Sequence, residues 1–423
     1  MNVIIRKYTK IVLIAGLPLL LNFIYSCNKK EQTGQSFKNI PLSDSITKVV
    51  EIPFKSDKTI TLILNKFKGS KLTFTDIVKD VNCIPLETNG KNSVGEIDKV
   101  QFYNGRYYIL DKYKAKALFV FDSYGKFCYS IVKQGKGPLE FIEPYDFTIN
   151  FDTNQIVIFD GMLSKVVSYD IEFGKPVEEE KVYYRFSNIA YTGDGLYCLS
   201  SKYDDNSHIK SINNNLLYFT DIKFRLKYIC IRKDNSSKND FFIRNDLNQN
   251  NVENFYSPRF QNSIYKIKDS VVEKIYNLNF DKIEVDKEIY NLEFARFREL
   301  VKDKFFFMGK YLGGKNIDYF ELSSMSKTIC IYYDKKNELL VGGQDLLFMS
   351  KILPFYSDPI AVYEDKFITY IDAFSISNIK KNVKASELEQ LPKHFKNIIN
   401  NISSNDNPVI MTYKIDLSKY KKI

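Results

Sequence analysis

The chain has 423 residues, a net charge of +10, 44% hydrophobic and 26% charged residues, and no tryptophan beside 30 tyrosines and 33 phenylalanines. Those fractions belong to a folded protein, the cations are interleaved with acids along the whole length rather than gathered in the stripe of a nucleic-acid protein, and the Tyr and Phe excess favours pleated, half-buried surfaces. A single core stops growing near ~250–300 residues, so this length implies several ordinary domains or one repetitive architecture in which each unit buries its faces against the next.

Residues 1–26 carry Arg6, Lys7 and Lys10 and no acid, which leaves +7 of the +10 on the rest. Residues 11–24 are apolar apart from Asn22, too short for the ~20 residues of a comfortable membrane span. Ile24-Tyr25-Ser26-Cys27 follows. It resembles a bacterial lipobox, with a branched apolar residue at −3 and a small one at −1; Tyr25 at −2 departs from the usual small or aliphatic choice. The resemblance implies that 1–26 is a lipoprotein signal peptide and that the Cys27 thiol takes diacylglycerol as a thioether, with acyl chains of the palmitate type. Each buried CH₂ contributes about 0.8 kcal/mol, so two or more chains anchor stably. An ordinary secretory signal with an incidental Cys, and an uncleaved anchor, are the alternatives. Residues 27–40 read as a flexible tether, polar from Asn28 to Ser36. Asn rather than Asp at position 28 resembles the Gram-negative sorting pattern for the outer membrane, with the periplasmic or surface face left open.

A repeat begins at Tyr107-Tyr108-Ile109-Leu110-Asp111, then Leu118-Phe119-Val120-Phe121-Asp122 before Gly125-Lys126. It returns as Gln155 to Asp160, then Val166 to Asp170 before Gly174-Lys175. Asp111 to Asp160 is 49 residues and Asp122 to Asp170 is 48; a weaker copy through Gly195 to Leu199 and Leu217 to Asp221 puts Asp170 to Asp221 at 51. A period near 50 with about four strands per unit is that of a propeller blade. Asp at a strand end can accept from its own following backbone, so these carboxylates read as structural. Gly135-Lys136-Gly137-Pro138-Leu139-Glu140 lies between two copies. Its spacing is not that of a phosphate loop and no helix follows, so it reads as a crossover between blades.

The Asn-, Asp- and Ser-rich stretch from Asn235 to Asn254 reads as a long connection, and Val271 to Phe280 as a strand. Between Asp286 and Asp303, Tyr290, Phe294, Phe297 and Val301 fall on one helical face, which predicts an inserted helix. Strands are expected to resume near Tyr319, with Lys327 to Tyr333 and Glu338 to Val341. A second inserted helix is expected from Ser386, which with Glu389 makes a capping box. Leu388, Leu391, Phe395 and Ile398 would form its inner stripe, and Pro392 would end or kink it. Val409 to Ile415 is the expected closing strand, paired with residues 72–87 so that the two ends of the chain join the ring and remove its exposed edges.

Ile84-Pro85-Leu86-Glu87-Thr88, the strand–Asp repeats, the Gly135–Phe141 motif, Ser263-Ile264-Tyr265-Lys266-Ile267, Tyr370-Ile371-Asp372-Ala373, and Asn407-Pro408-Val409-Ile410 with Tyr413-Lys414-Ile415 together resemble the six-bladed β-propeller lipoproteins of Bacteroidota-type envelopes, related in pattern to NHL-repeat propellers. The likeness runs from about residue 70 to 416. It implies an all-β fold, six blades of four antiparallel strands in one domain over 41–423, with two short inserted helices, in the cell envelope. It implies little chemistry.

Only two histidines occur, His208 and His394, in different local settings and without metal-ligand spacing. No Gly-x-Ser-x-Gly elbow and no calcium loop is present. Five cysteines follow Cys27: Cys83, Cys128, Cys198, Cys230 and Cys330, each in an apolar strand-like run and none in a Cys-x-x-Cys pair. They read as buried free thiols, with a single disulfide, which the sequence cannot pair, as the alternative. The sequence therefore points to no catalytic residue, no metal and no cofactor. The expected partners are the membrane through Cys27 and an unidentified ligand, a glycan or an envelope protein, with no nucleic acid. The alternative is a hydrolase or lyase acting on a glycan or lactone at the channel mouth, which convergent carboxylates there would favour.

Overall fold

The computed structural model describes residues 37, 49–67, 70–90, 92–132, 134–201, 204–233, 246–250, 252–280, 285–302, 304–325, 327–347, 358–382, 386, 389 and 393–420. The N-terminal part supplies β1 (Val50–Glu51), β2 (Ile60–Ile63), β3 (Lys71–Thr73) and β4 (Val78–Pro85). Blade one follows as β5 (Lys99–Tyr103), β6 (Arg106–Asp111), β7 (Ala117–Asp122) and β8 (Phe127–Ile131). Blade two is β9 (Pro144–Asn150), β10 (Gln155–Asp160), β11 (Lys165–Asp170) and β12 (Pro176–Lys181). Blade three is β13 (Asn188–Gly193), β14 (Leu196–Ser200), β15 (Asn215–Asp221) and β16 (Leu226–Arg232). Blade four is β17 (Leu247–Asn250), β18 (Glu253–Tyr256), β19 (Ser263–Lys268) and β20 (Val271–Asn279). Blade five is β21 (Phe306–Gly313), β22 (Ile317–Ser323), β23 (Thr328–Asp334) and β24 (Leu339–Leu347). Blade six takes β25 (Ala361–Tyr363), β26 (Lys366–Ile371) and β27 (Val409–Ile415) from the C-terminal end and β4 as its outer strand. The fold is a six-bladed β-propeller.

Closure is as the sequence predicts. Val409 pairs with Pro85, Ile410 with Ile84 and Met411 with Cys83, antiparallel. Hydrophobic burial is partitioned in the same way. A distinct apolar cluster fills the junction of each neighbouring pair of blades, such as Ile109, Phe119 and Ile410 between blades six and one and Ile158, Phe147 and Leu118 between one and two. No single core has to span the molecule, which is how the ring exceeds the usual size limit.

The N-terminal segment does more than close the ring. Before reaching blade six it adds a parallel fifth strand to three blades in turn: β1 on β16, β2 on β20 and β3 on β24. This belt covers the outer edges of blades three, four and five. Among the described residues, β4, β8 and β12 keep their outer edges unpaired.

Strand alternation sorts the connections onto two faces. On one, turns of two to five residues join strands one to two of each blade and strands three to four of blades one to five. Asn104-Gly105 and Asp194-Gly195 are two such turns, with φ of 46°, 73°, 48° and 68°, the left-handed pair that a tight hairpin demands. The other face carries connections of four to 37 residues, including every described helix of seven residues or more. We call these the hairpin face and the connection face.

Four expectations are corrected. The Asn-rich stretch 235–254 contains β17 and part of β18, although 234–245 lies outside the described residues. The strands resume at β21, earlier than Tyr319. The helix expected over 286–303 is a 3₁₀ turn, Lys287–Asn291, and a helix, Phe294–Leu300, because Leu292 and Glu293 are extended, with ψ of 158° and 150°. Tyr290, Phe297 and Val301 are nevertheless buried in one cluster with Phe260 and Phe306. The second helix is Lys393–Asn401, with Phe395 and Ile399 buried against blade six, and a further helix, Ala373–Asn382, precedes it. Of the capping box, Glu389 accepts from Lys396 Nζ at 2.8 Å; Leu388, Leu391 and Pro392 lie outside the described residues.

Candidate functional site

The repeated aspartates are fasteners. Asp111 is fully buried; its Oδ1 accepts from the backbone N–H of Lys114 and Ala115 and its Oδ2 from those of Gly95 and Glu96. Asp160 repeats the arrangement, with Met162 and Leu163 on Oδ1 and Ile142 on Oδ2. Each carboxylate thus ties a turn within its blade to the strand connection arriving from the previous blade. Asp122, Asp170 and Asp221 accept from turn N–H groups on the hairpin face.

The Gly135–Phe141 crossover is also self-satisfied. Gln134 and Phe141 form a bridge, Gly137 N–H donates to Glu140 Oε2 at 2.9 Å, and Lys165 Nζ donates to the Gly137 carbonyl at 3.0 Å. A Cβ on Gly135 would stand 1.9 Å from the Glu140 carboxylate. The loop folds around its own anion, in the place where a phosphate loop would hold a ligand's.

Amides bridge the central channel. Gln101 of blade one donates to Gln249 of blade four, on the opposite side of the ring, and Thr148 of blade two donates to the same Gln249 oxygen at 3.2 Å. Asn250 donates to the Gly313 carbonyl of blade five at 2.7 Å and accepts from Glu364 N–H of blade six at 2.9 Å. The void left among these strands is about 10 Å³, room for one water at most.

Around the connection-face mouth, charges are paired. Lys99 Nζ donates to Asp146 Oδ1 and the Phe147 carbonyl, both at 2.7 Å. Lys112, 7% exposed, stands 3.1 Å from the centre of the Tyr145 ring, a cation–π contact shielded from water. Burial pushes the Asp98 carboxyl up to about 6, helped by Glu96 and Asp111, while the Lys112 N–H bond and charge pull it back. Between blades five and six, Lys310 Nζ lies 2.6 Å from Glu321 and 3.5 Å from Asp358. Those carboxylate oxygens therefore lie no more than about 6 Å apart, a bound that admits the roughly 5–5.5 Å of a retaining glycosidase and not the wider spacing of an inverting one. The lysine between them compensates their charge, and the neighbouring Tyr319 hydroxyl and Cys330 thiol are raised by burial, far from a reactive anion.

A larger cavity lies elsewhere. A groove of about 790 Å³ opens on the outer rim between belt residues 51–54 and blades three and four. Phe54 and Tyr265 meet edge-on within it at 5.4 Å. Gln261 and Asn277 add amides, and Arg232 grips Glu51 with two bonds of 3.0 and 2.8 Å. The volume is within the range of small-molecule sites, and the lining is mixed: Phe54, Phe260, Tyr265 and Leu278 share it with Glu51, Arg232, Lys274 and several amides. The sequence did not signal it, because its walls come from the belt and from blades more than 170 residues further along the chain.

Cys27 lies outside the described residues. His208 and the helix bearing His394 occupy connections of blades three and six, opposite members of the ring. His208 Nε2 is bonded to the Tyr183 carbonyl at 2.8 Å. The five later cysteines are in strands and free; Cys198, Cys230 and Cys330 are buried and Cys83 half-buried. Cys128 is exposed, against expectation, because β8 is an outer strand that no belt segment covers. Among the described residues there is no cluster of metal-ligating side chains and no helix long and apolar enough to cross a membrane.

A family model described as a domain of unknown function, DUF4934, matches residues 57–414. No curated protein matches the sequence. The crystal structure of a candidate exported protein of Bacteroides fragilis shares the fold, at 15% identity and a TM-score of 0.70 over 83% of this chain and 99% of that one. BamB of Moraxella catarrhalis gives 7% and 0.33 over 62% and 63%, and the WD40 repeats of RRP9 give 7% and 0.42 over 80% and 100%. Those last two scores are too low to bear on this chain's role.

Proposed function

The chain belongs to the DUF4934 family, and on that footing we propose that it is an exported lipoprotein of the bacterial envelope, anchored in the outer membrane through Cys27, whose NHL-like propeller binds a ligand or partner without transforming it. The rim groove carries the binding reading: the Phe54–Tyr265 ring pair stands beside the Gln261 and Asn277 amides, and the Glu51 carboxyl, held below its usual range by its bonds to Arg232, is occupied by that ion pair. The leader of residues 1–26 and the candidate exported status of the Bacteroides fragilis protein support the address. The ligand suited to the groove presents both an apolar face and hydrogen-bonding groups, as a glycan or a short peptide does.

A thermal-shift screen against glycans and peptides tests this. A ligand at 100 times its Kd stabilises the native state by about 2.7 kcal/mol, and the Phe54→Ala/Asn277→Ala variant should lose that shift while keeping its unliganded melting temperature within a few degrees. A shift undiminished in that variant places binding elsewhere, and turnover of any ligand in the screen overturns the non-catalytic reading.

A further inference from the structure

We infer that the connection face of the propeller is held toward the lipid bilayer, leashed by Phe37, and that the hairpin face points away from it. The inference rests on anchoring at Cys27 and adds an orientation to it.

Phe37 is 4% exposed. Its ring lies 5.3 Å from the His208 ring, with the Arg185 guanidinium 5.9 Å from its centre. Arg185 belongs to the connection between β12 and β13, and His208 to that between β14 and β15, so both stand on the connection face. The two connections are bonded into one platform. Asn206 Oδ1 accepts from Arg185 N–H at 2.8 Å, Asn206 Nδ2 donates to the Arg185 carbonyl at 2.9 Å, and Ser187 Oγ donates to Asp204 at 3.0 Å. Phe37 is therefore a pin set into a rigid part of that face.

Ten peptide units separate Cys27 from Phe37. They reach at most about 36 Å when fully extended and about 18 Å as a flexible coil. A six-residue strand is about 20 Å long, so the hairpin face lies a blade height beyond the pin. Presenting that face to the membrane would need the tether stretched past its coil length merely to span the blade, before any distance around the rim is added. Exposed apolar side chains do not decide the matter, since Tyr113, Met162 and Phe374 stand on the connection face and Tyr124, Phe173 and Ile222 on the hairpin face. The length of the leash and the place of its pin do. The connection face then offers Tyr113 and Phe374, with exposed Lys114, Lys380 and Lys381, to the interface and to anionic headgroups.

The chain has no tryptophan, so a single one reports its own position. Residues 27–423 carrying Cys128→Ser would be coupled through Cys27 to a maleimide phospholipid in phosphatidylcholine–phosphatidylglycerol vesicles with a dansyl-headgroup acceptor. Chemical coupling makes the result independent of processing in the cell, which a mass measurement of the native N-terminus tests by itself. Energy transfer to dansyl should be at least twofold more efficient from a Tyr113→Trp reporter than from a Tyr124→Trp reporter. Adding Phe37→Asp, with folding checked by circular dichroism, should bring the two together. Equal transfer with Phe37 intact, greater transfer from the hairpin face, or a difference that survives Phe37→Asp would overturn the proposal.

Discussion

Replacing Asp160 by alanine separates a fastener from a functional carboxylate. Asp160 is fully buried and its two oxygens accept from three backbone N–H groups, of Met162, Leu163 and Ile142, at 2.8, 3.0 and 2.6 Å. Each bond to a charged acceptor contributes about 1.5 kcal/mol or more, and a donor left buried and unpaired costs about 1–3 kcal/mol. Some relaxation of the four-residue turn lets water reach one donor, so the variant should lose about 3–5 kcal/mol. For a chain of this size, with an unfolding entropy near 2.1 cal/mol/K per residue, that lowers the melting temperature by roughly 3–6 °C. Asp122→Ala is the control. Asp122 also accepts from two turn N–H groups, of Tyr124 and Lys126, but on the exposed hairpin face, where water replaces the acceptor and the loss should be under about 1 kcal/mol. Both variants would be compared by calorimetry and urea titration. Equal losses, or a loss below 1 kcal/mol for Asp160→Ala, would refute the view that the repeat's aspartates act as buried clasps between blades.

Two further outcomes follow from the same geometry. The raised pKa of Asp98, about 6, means the folded state holds its proton more tightly than the unfolded chain. Stability should therefore fall as pH rises from about 4 through 6, and Asp98→Asn should remove that slope and raise stability at pH 7 by on the order of 1 kcal/mol, discounted because the group is partly solvated; an unchanged pH profile of the melting temperature would contradict this. In the native chain with Cys27→Ser, maleimide should add once, at exposed Cys128, because burial pushes Cys83 up to about 12 and Cys230 to about 11 and raises Cys198 and Cys330 as well. Intact mass showing two or more rapid adducts would contradict the burial of those strands.

The repeat was legible in sequence because its strands alternate and end in a residue whose role is local: Asp111 and Asp160 fix turns that begin three residues or fewer beyond them. Ring closure was legible because β4 and β27 are long enough to show apolar content at both ends of the chain. The belt was not, since β1, β2 and β3 have two to four residues each and their partners lie more than 170 residues away. Blade four was misread for an instructive reason. Leu247-Asn248-Gln249-Asn250 looks like a loop, yet it is the strand nearest the axis, and its polarity is spent on carbonyls and amides of other blades: Asn248 donates to the Tyr311 carbonyl and Asn250 to that of Gly313. A polar strand in the middle of a ring has no signature that distinguishes it from a solvated connection. The rim groove was hidden for the same cause as the belt, because tertiary placement alone brings Phe54 to Tyr265.

The lipid anchor at Cys27 is open to the most direct measurement. The intact mass of the protein extracted from its native membranes should correspond to a chain beginning at Cys27 with a diacylglycerol and an added acyl group, and Cys27→Ala should move the protein out of the detergent phase with that mass increment gone. A wild-type chain that retains Met1, or one cut near Cys27 but bearing no lipid, would contradict it.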